Sequence, residues 1–191
     1  MKITHILQSL LLFTFLAAAI PACVAQDKPA IPAPVPEGYQ SCCGTQPVVF
    51  KSRETSVYIP NVFTPNGDGI NDLFTPIINS EVIQINNYTI LTPDKDTVLY
   101  HATFVIPAKI KDWVWAGKRY DGSVYSGPFR YGMVVMDKQR RISIIEGEAC
   151  AIPCRKEMAV FKTNEGCYYS AQAEAAGTLD SNKPNGERDC F

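Results

Sequence analysis

Between residues 48 and 146 the chain alternates short apolar runs with clusters of turn-forming residues. Val48-Val49-Phe50 and Val57-Tyr58-Ile59 come first. Segments 82–91 and 97–105 follow, separated by Thr92-Pro93-Asp94-Lys95-Asp96, a sequence suited to a hairpin loop. Later, Phe129, Tyr131, Met133 and Val135 alternate with Arg130 and Gly132, and after Asp137-Lys138-Gln139-Arg140 an apolar run returns at 142–145. Successive side chains on a strand point to opposite faces, so this two-residue period predicts strands with one buried face. No 3.6-residue period is sustained before residue 150. The pattern predicts an all-β fold, an antiparallel β-sandwich over residues 48–148.

The flanks differ from this core. Met1-Lys2 precedes an uncharged, apolar run at 6–20, then Ala19-Ile20-Pro21-Ala22-Cys23. The run is about 15 residues, short of the roughly 20 that a spanning helix needs, so residues 1–25 read as an export signal. Two cleavages fit. One treats Ile20-Pro21-Ala22-Cys23 as a lipobox and makes Cys23 the acylated N-terminus; the other cuts after Ala25 and leaves Gln26 first. Residues 26–47 carry Pro29, Pro32, Pro34 and Pro36, as an extended polyproline-type linker would. Residues 149–191 are small, polar and rich in cysteine, with a helix-leaning stretch at 171–176. Such a segment depends on disulfides to fold.

The chain has 7 cysteines. Either cleavage withdraws Cys23 from pairing, which leaves Cys42, Cys43, Cys150, Cys154, Cys167 and Cys190 as disulfide candidates in an oxidising compartment, in any of about 15 connectivities. Without Lys2 the mature chain carries 17 basic and 19 acidic residues, a net charge of −2. That balance gives nucleic acid nothing to bind, and leaves a lipid on Cys23 as the one route to a membrane.

Tyr58-Ile59-Pro60-Asn61-Val62-Phe63-Thr64-Pro65-Asn66-Gly67-Asp68-Gly69-Ile70-Asn71-Asp72-Leu73-Phe74 resembles the opening motif of the gliding motility-associated C-terminal domain. Trp115-Ala116-Gly117, followed by Val124-Tyr125-Ser126-Gly127-Pro128-Phe129-Arg130-Tyr131, is similar to that family's second signature. The family belongs to Bacteroidota, where it serves as a type B sorting domain of the type IX secretion system. The resemblance implies an immunoglobulin-like β-sandwich. Three features depart from the family pattern: Asp94-Lys95-Asp96 stands where an Arg-Trp-Gly turn is usual, Ala116 replaces an acid, and about 45 residues follow the last strand.

Candidate chemistry is sparse. Asn66, Asp68, Asn71 and Asp72 gather hard oxygen atoms within seven residues, and Gly67 and Gly69 permit sharp turns, so calcium is the cofactor this loop would take. The same residues also suit a tight turn in which side chains bond their own backbone. Trp113, Trp115, Tyr120 and Tyr125 form an aromatic group that would either stack on sugar rings or pack in the core. Asp96-Thr97-Val98 resembles the O-glycosylation pattern of Bacteroidota, with Thr97 as acceptor. His101 is the one histidine after the signal, with no Gly-x-Ser-x-Gly motif to accompany it, and no pairing of acids such as Asp112 and Asp121 is indicated. These features predict a non-catalytic, extracytoplasmic attachment module of the outer membrane or cell surface, linked to type IX secretion or surface assembly. Its expected partners are envelope or secretion-system proteins, or surface glycan. The alternative is a carbohydrate- or calcium-binding sandwich.

Overall fold

The alternation read in the sequence is clearest in β7 (Gly127–Asp137), where every odd-numbered residue is buried. A two-residue period with one dry face requires a layer on one side only. β7 turns back through 138–141 into β8 (Ile142–Ala151), in register from Gly127 opposite Ala151 to Met136 opposite Ile142. On its other side lies β5 (Val82–Leu91), which in turn pairs with β6 (Val98–Val105). The structure is a computed structural model that describes residues 34–44, 47–94, 97–163, 165–188 and 190. The chain divides into Met1–Ile31 and Pro32–Phe191, and the described residues belong to the second unit.

β5 does not keep a strict two-residue period. Its buried residues are Val82, Ile85, Tyr88 and Ile90, because the register against β7 shifts between Val82 and Gln84 and again between Asn86 and Thr89. Asn87 lies in the second irregularity with φ 50°, a conformation that asparagine tolerates better than most residues. Each extra residue resets which face looks inward.

β1 (Val48–Ser52), β2 (Thr55–Ile59) and β4 (Ile77–Ile78) form a second sheet in the order β1-β2-β4. Val57 and Ile59 pack against Ile85, Ile90, Met133, Val135 and Ile145 across the interior, which makes the fold a β-sandwich. The larger sheet has the order β3-β8-β7-β5-β6. One pair departs from the antiparallel pattern that the other strands keep. β3 (Val62–Phe63) runs parallel to β8, with Val62 opposite Cys150 and Phe63 opposite Ala151. Pro60 has no N–H to extend the β2 ladder, so the chain leaves one sheet and continues straight into the edge of the other.

The segment after residue 148 is part of the body. β8 passes through the expected boundary to Ala151, and Asn61 stitches the following chain to β3: its Nδ2 donates to Gly166 O at 2.7 Å and its Oδ1 accepts from Tyr168 N at 2.8 Å. Val62, Ile152, Met158, Phe161 and Tyr169 form a second apolar cluster around Cys42, Cys43, Cys150 and Cys167. The helix expected near 171–176 is a 3-10 turn at Ser170–Gln172 that leads into β9 (Ala173–Glu174) and β10 (Thr178–Leu179). Gly177 closes this hairpin at φ 70°, directly over the Ser56 carbonyl, where a Cβ would sit 2.6 Å from oxygen. The end of the expected linker is folded as well: Tyr39 packs on Phe161 at 6.0 Å, and Cys42 and Cys43 are buried.

All six cysteines pair, as Cys42–Cys150, Cys43–Cys167 and Cys154–Cys190. Three disulfides point to an oxidising, extracytoplasmic compartment. Among the described residues no helix is long and apolar enough to cross a membrane. The signal, Cys23 and residues 26–33, 45 and 46 of the linker lie outside the described residues.

Candidate functional site

The turn at 64–72 is closed by its own side chains. Asp72 Oδ1 accepts from the N–H of Asn66 at 2.9 Å and Oδ2 from that of Gly69 at 2.6 Å; the Gly67 N–H also donates to Oδ1. Asn66 Oδ1 accepts from the Asp68 N–H at 3.0 Å, and Asp68 Oδ1 from the Ile70 N–H at 2.8 Å. Gly67 and Gly69, at φ 85° and 86°, make the sharp bends this requires. Of the four residues read as calcium ligands, Asn66, Asp68 and Asp72 share this turn. Asn71 does not join them.

Its side chain faces the C-terminal segment. Asn71 Nδ2 donates to Asn185 O at 2.8 Å and to Glu187 Oε1 at 2.7 Å, while its Oδ1 accepts from the Ala171 N–H at 3.0 Å. Glu187 is 4% exposed, and its Oε1 also accepts from the Thr64 hydroxyl. Burial pushes this carboxyl above the usual range; the Thr64 and Asn71 hydrogen bonds oppose that, and the nearby Asp68 and Asp72 charges add to it. Sequence reasoning missed Glu187, which lies in a polar stretch among small residues. The one local hint was Asn71, an amide with no obvious partner in its own turn. Among the described residues no group of three His, Cys, Asp or Glu stands close enough to hold a metal ion.

The two segments that carry the family resemblance meet in the core. Phe63 and Phe74 from the first lie against Trp115 and Phe129 from the second, with Phe74–Phe129 at 4.8 Å and Trp115–Phe129 at 5.1 Å between ring centres. The Phe74 N–H donates to Trp115 O at 2.9 Å, and the indole N–H of Trp115 to Lys118 O at 2.8 Å. Buried indole and phenol groups need such partners. The aromatic platform is therefore corrected: Trp115, 2% exposed, and Tyr125 belong to the core, whereas Trp113 and Tyr120 are exposed.

Tyr120, 79% exposed, borders an open cleft of about 560 Å³ with Pro93, Asp94, Thr97, Val98 and Arg119. The Arg119 guanidinium lies 4.9 Å above the Tyr125 ring. Thr97 is exposed and its N–H donates to Thr92 Oγ1 at 3.1 Å; Asp96, the other half of the glycosylation pattern, lies outside the described residues. His101 is exposed on β6, with Nδ1 2.9 Å from Thr89 Oγ1. Asp121 is taken up by Ser123, whose N–H and hydroxyl both donate to it.

The outer face of the five-stranded sheet exposes several large apolar side chains. Ile144, Val134, Asn86 and Phe104 stand in one cross-strand row, and Ile142, Met136 and Gln84 in the next. Ile142 is 66% and Ile144 70% exposed. Farther along the same face, Arg130 pairs across strands with Glu148, and Gly132 with Glu146. No protein-family model matches the chain, and no curated protein matches it.

Proposed function

We propose that this chain is a non-catalytic, exported attachment or interaction module of the cell envelope, of the gliding motility-associated type, linked to type IX secretion or surface assembly. A lipid on Cys23 or assembly with envelope proteins would hold it at the outer membrane or cell surface. The observation that carries the reading is the open sheet face with Ile142 and Ile144 side by side. Two large aliphatic side chains left in water on one strand cost about 1.5–3 kcal/mol each relative to burial, which a partner surface would recover. The convergence of both motif segments on one aromatic core supports the family part of the reading.

Two measurements test it. A photo-crosslinking residue at Ile144 in whole cells is expected to capture an envelope protein, and a crosslink no stronger than that from a site such as Lys51 refutes the proposal. Mass spectrometry of the envelope fraction reads the anchor: an acylated Cys23 supports it, and a chain beginning at Gln26 in the medium removes it. A second reading, glycan binding, is favoured by the exposed Tyr120 ring beside Arg119 and Asp94. Titration with surface glycans that leaves the Tyr120 fluorescence and NMR signals unmoved excludes it.

A further inference from the structure

Residues 181–190 are bound to the body by side chains and one disulfide. Among the described residues of this segment no backbone–backbone hydrogen bond reaches the rest of the fold beyond the turn at Asp180. Asn71 Nδ2 donates to Asn185 O, Asn185 Nδ2 to Lys162 O at 2.8 Å, Gln172 Nε2 to Lys183 O at 3.0 Å, and Lys183 Nζ to Ala173 O at 3.0 Å. Gly186 lies against Ile70 and Ala171. One contact works against the rest. Glu187 is buried with its Oε2 lacking a hydrogen-bond partner, and the Asp68 and Asp72 charges stand nearby. A buried carboxyl with an unpaired oxygen and two acids beside it favours release of the segment. The covalent tie that opposes release is Cys190, bonded to Cys154.

The three bridges differ in access. Cys42, Cys43, Cys150 and Cys167 are 3–8% exposed within the second apolar cluster, whereas Cys154 is half-buried at the surface. Thiol–disulfide exchange needs a thiolate to reach one sulfur, so access decides which bridge opens first. From this arrangement we infer that Cys154–Cys190 is a redox latch, opened by an extracytoplasmic dithiol to free residues 181–190 while the sandwich and the other two bridges stay intact. The reductant's thiolate attacks Cys154 Sγ; the S–S bond breaks, and Cys190 leaves with the electron pair and takes up a proton. The second thiol of the reductant then displaces Cys154 from the mixed disulfide, so the protein gains two thiols and the dithiol becomes a disulfide. The freed segment carries Glu187 into water and uncovers Thr64, Ile70 and Asn71 at the 64–72 turn. The sandwich keeps its fold because β1 to β8 and their core lie outside the ring that this bridge closes.

Dithiothreitol titration of the oxidised mature chain, with alkylation and peptide mass spectrometry, tests the latch. Cys154 and Cys190 are expected to be alkylated at least about tenfold faster than Cys42, Cys43, Cys150 and Cys167. At that stage glutamyl endopeptidase should cut after Glu187, which resists in the oxidised chain, and circular dichroism should be unchanged. Cys154→Ser with Cys190→Ser is expected to be cut there without reductant. Three bridges that open together, or Cys154–Cys190 opening last, overturn the inference. So does a Glu187 that stays resistant once its bridge is open, or a wild-type sandwich signal that is lost with that bridge.

Discussion

Replacing Glu187 by alanine removes the acceptor shared by the buried Thr64 hydroxyl and Asn71 amide. Hydrogen bonds to a charged acceptor contribute about 1.5–3 kcal/mol each, and Asn71 keeps its bond to Asn185 O. Relief of the carboxyl's own burial offsets part of the loss. The net cost is about 2–4 kcal/mol, a large share of the roughly 5–15 kcal/mol that holds a domain folded. Glu187→Gln keeps an oxygen acceptor and removes the charge, so at pH 7 it stays within about 1 kcal/mol of wild type. The two variants also separate hydrogen bonding from charge by their pH dependence. A carboxyl whose folded pKa is raised above its ordinary 4.5 contributes stability that is fully present below 4.5 and is lost as pH rises through the folded value. The stability of wild type relative to Glu187→Gln is therefore expected to fall as pH rises from 4.5. Urea unfolding of the oxidised proteins at pH 4.5, 6 and 7.5 measures both effects. An alanine variant within about 0.5 kcal/mol of wild type, or a wild-type advantage that grows with pH, refutes the reasoning.

Three further outcomes are expected. Gly117→Ala should cost about 2–4 kcal/mol in chemical denaturation, because φ is 68° and the new Cβ would sit 2.5 Å from Pro65 Cβ, where the second motif segment packs against the 64–72 turn of the first. Asp137 is worked on by burial, which raises its pKa, but hydrogen bonds and charge from Arg141 prevail and hold it below 3.8; Asp137→Asn should therefore be less stable than wild type at pH 7, with the difference vanishing as pH falls through the depressed value, as thermal melts at pH 2 to 7 would show. Tyr58, Tyr88, Tyr131 and Tyr169 have phenols pushed well above 10 by burial, so alkaline difference spectra should show them ionising only together with unfolding.

What could be read in the chain was local. The strands at 82–91 and 97–105, the loop between them and the 127–151 hairpin are written in residues a few positions apart, where alternation and turn chemistry act. The parallel pairing of β3 with β8 joins residues nearly ninety positions apart, and neither strand carries a mark of the other. The bulges of β5 were hidden because an extra residue looks like a lapse in pattern until the partner strand supplies the register. Among the site residues, Asn66, Asp68 and Asp72 were found as a group because their partners are the next few amides. Asn71 was misgrouped since its partner, Glu187, is brought by a segment whose path the disulfides set. The aromatic residues were legible as a cluster, but which of them face water is decided by the opposite sheet.

The disulfides alter what a cut in the backbone means. Cys42 and Cys43 are neighbours, and their bridges reach Cys150 and Cys167, so every loop from 44 to 149 lies inside a covalent ring. Cys154–Cys190 closes a smaller ring around the rest. A protease that severs the hairpin tip near 94 produces two chains that remain bound together, with strands and core contacts in place. In an oxidising compartment outside the cytoplasm such a molecule ages without falling apart, and its history of nicks appears only once its sulfurs are reduced.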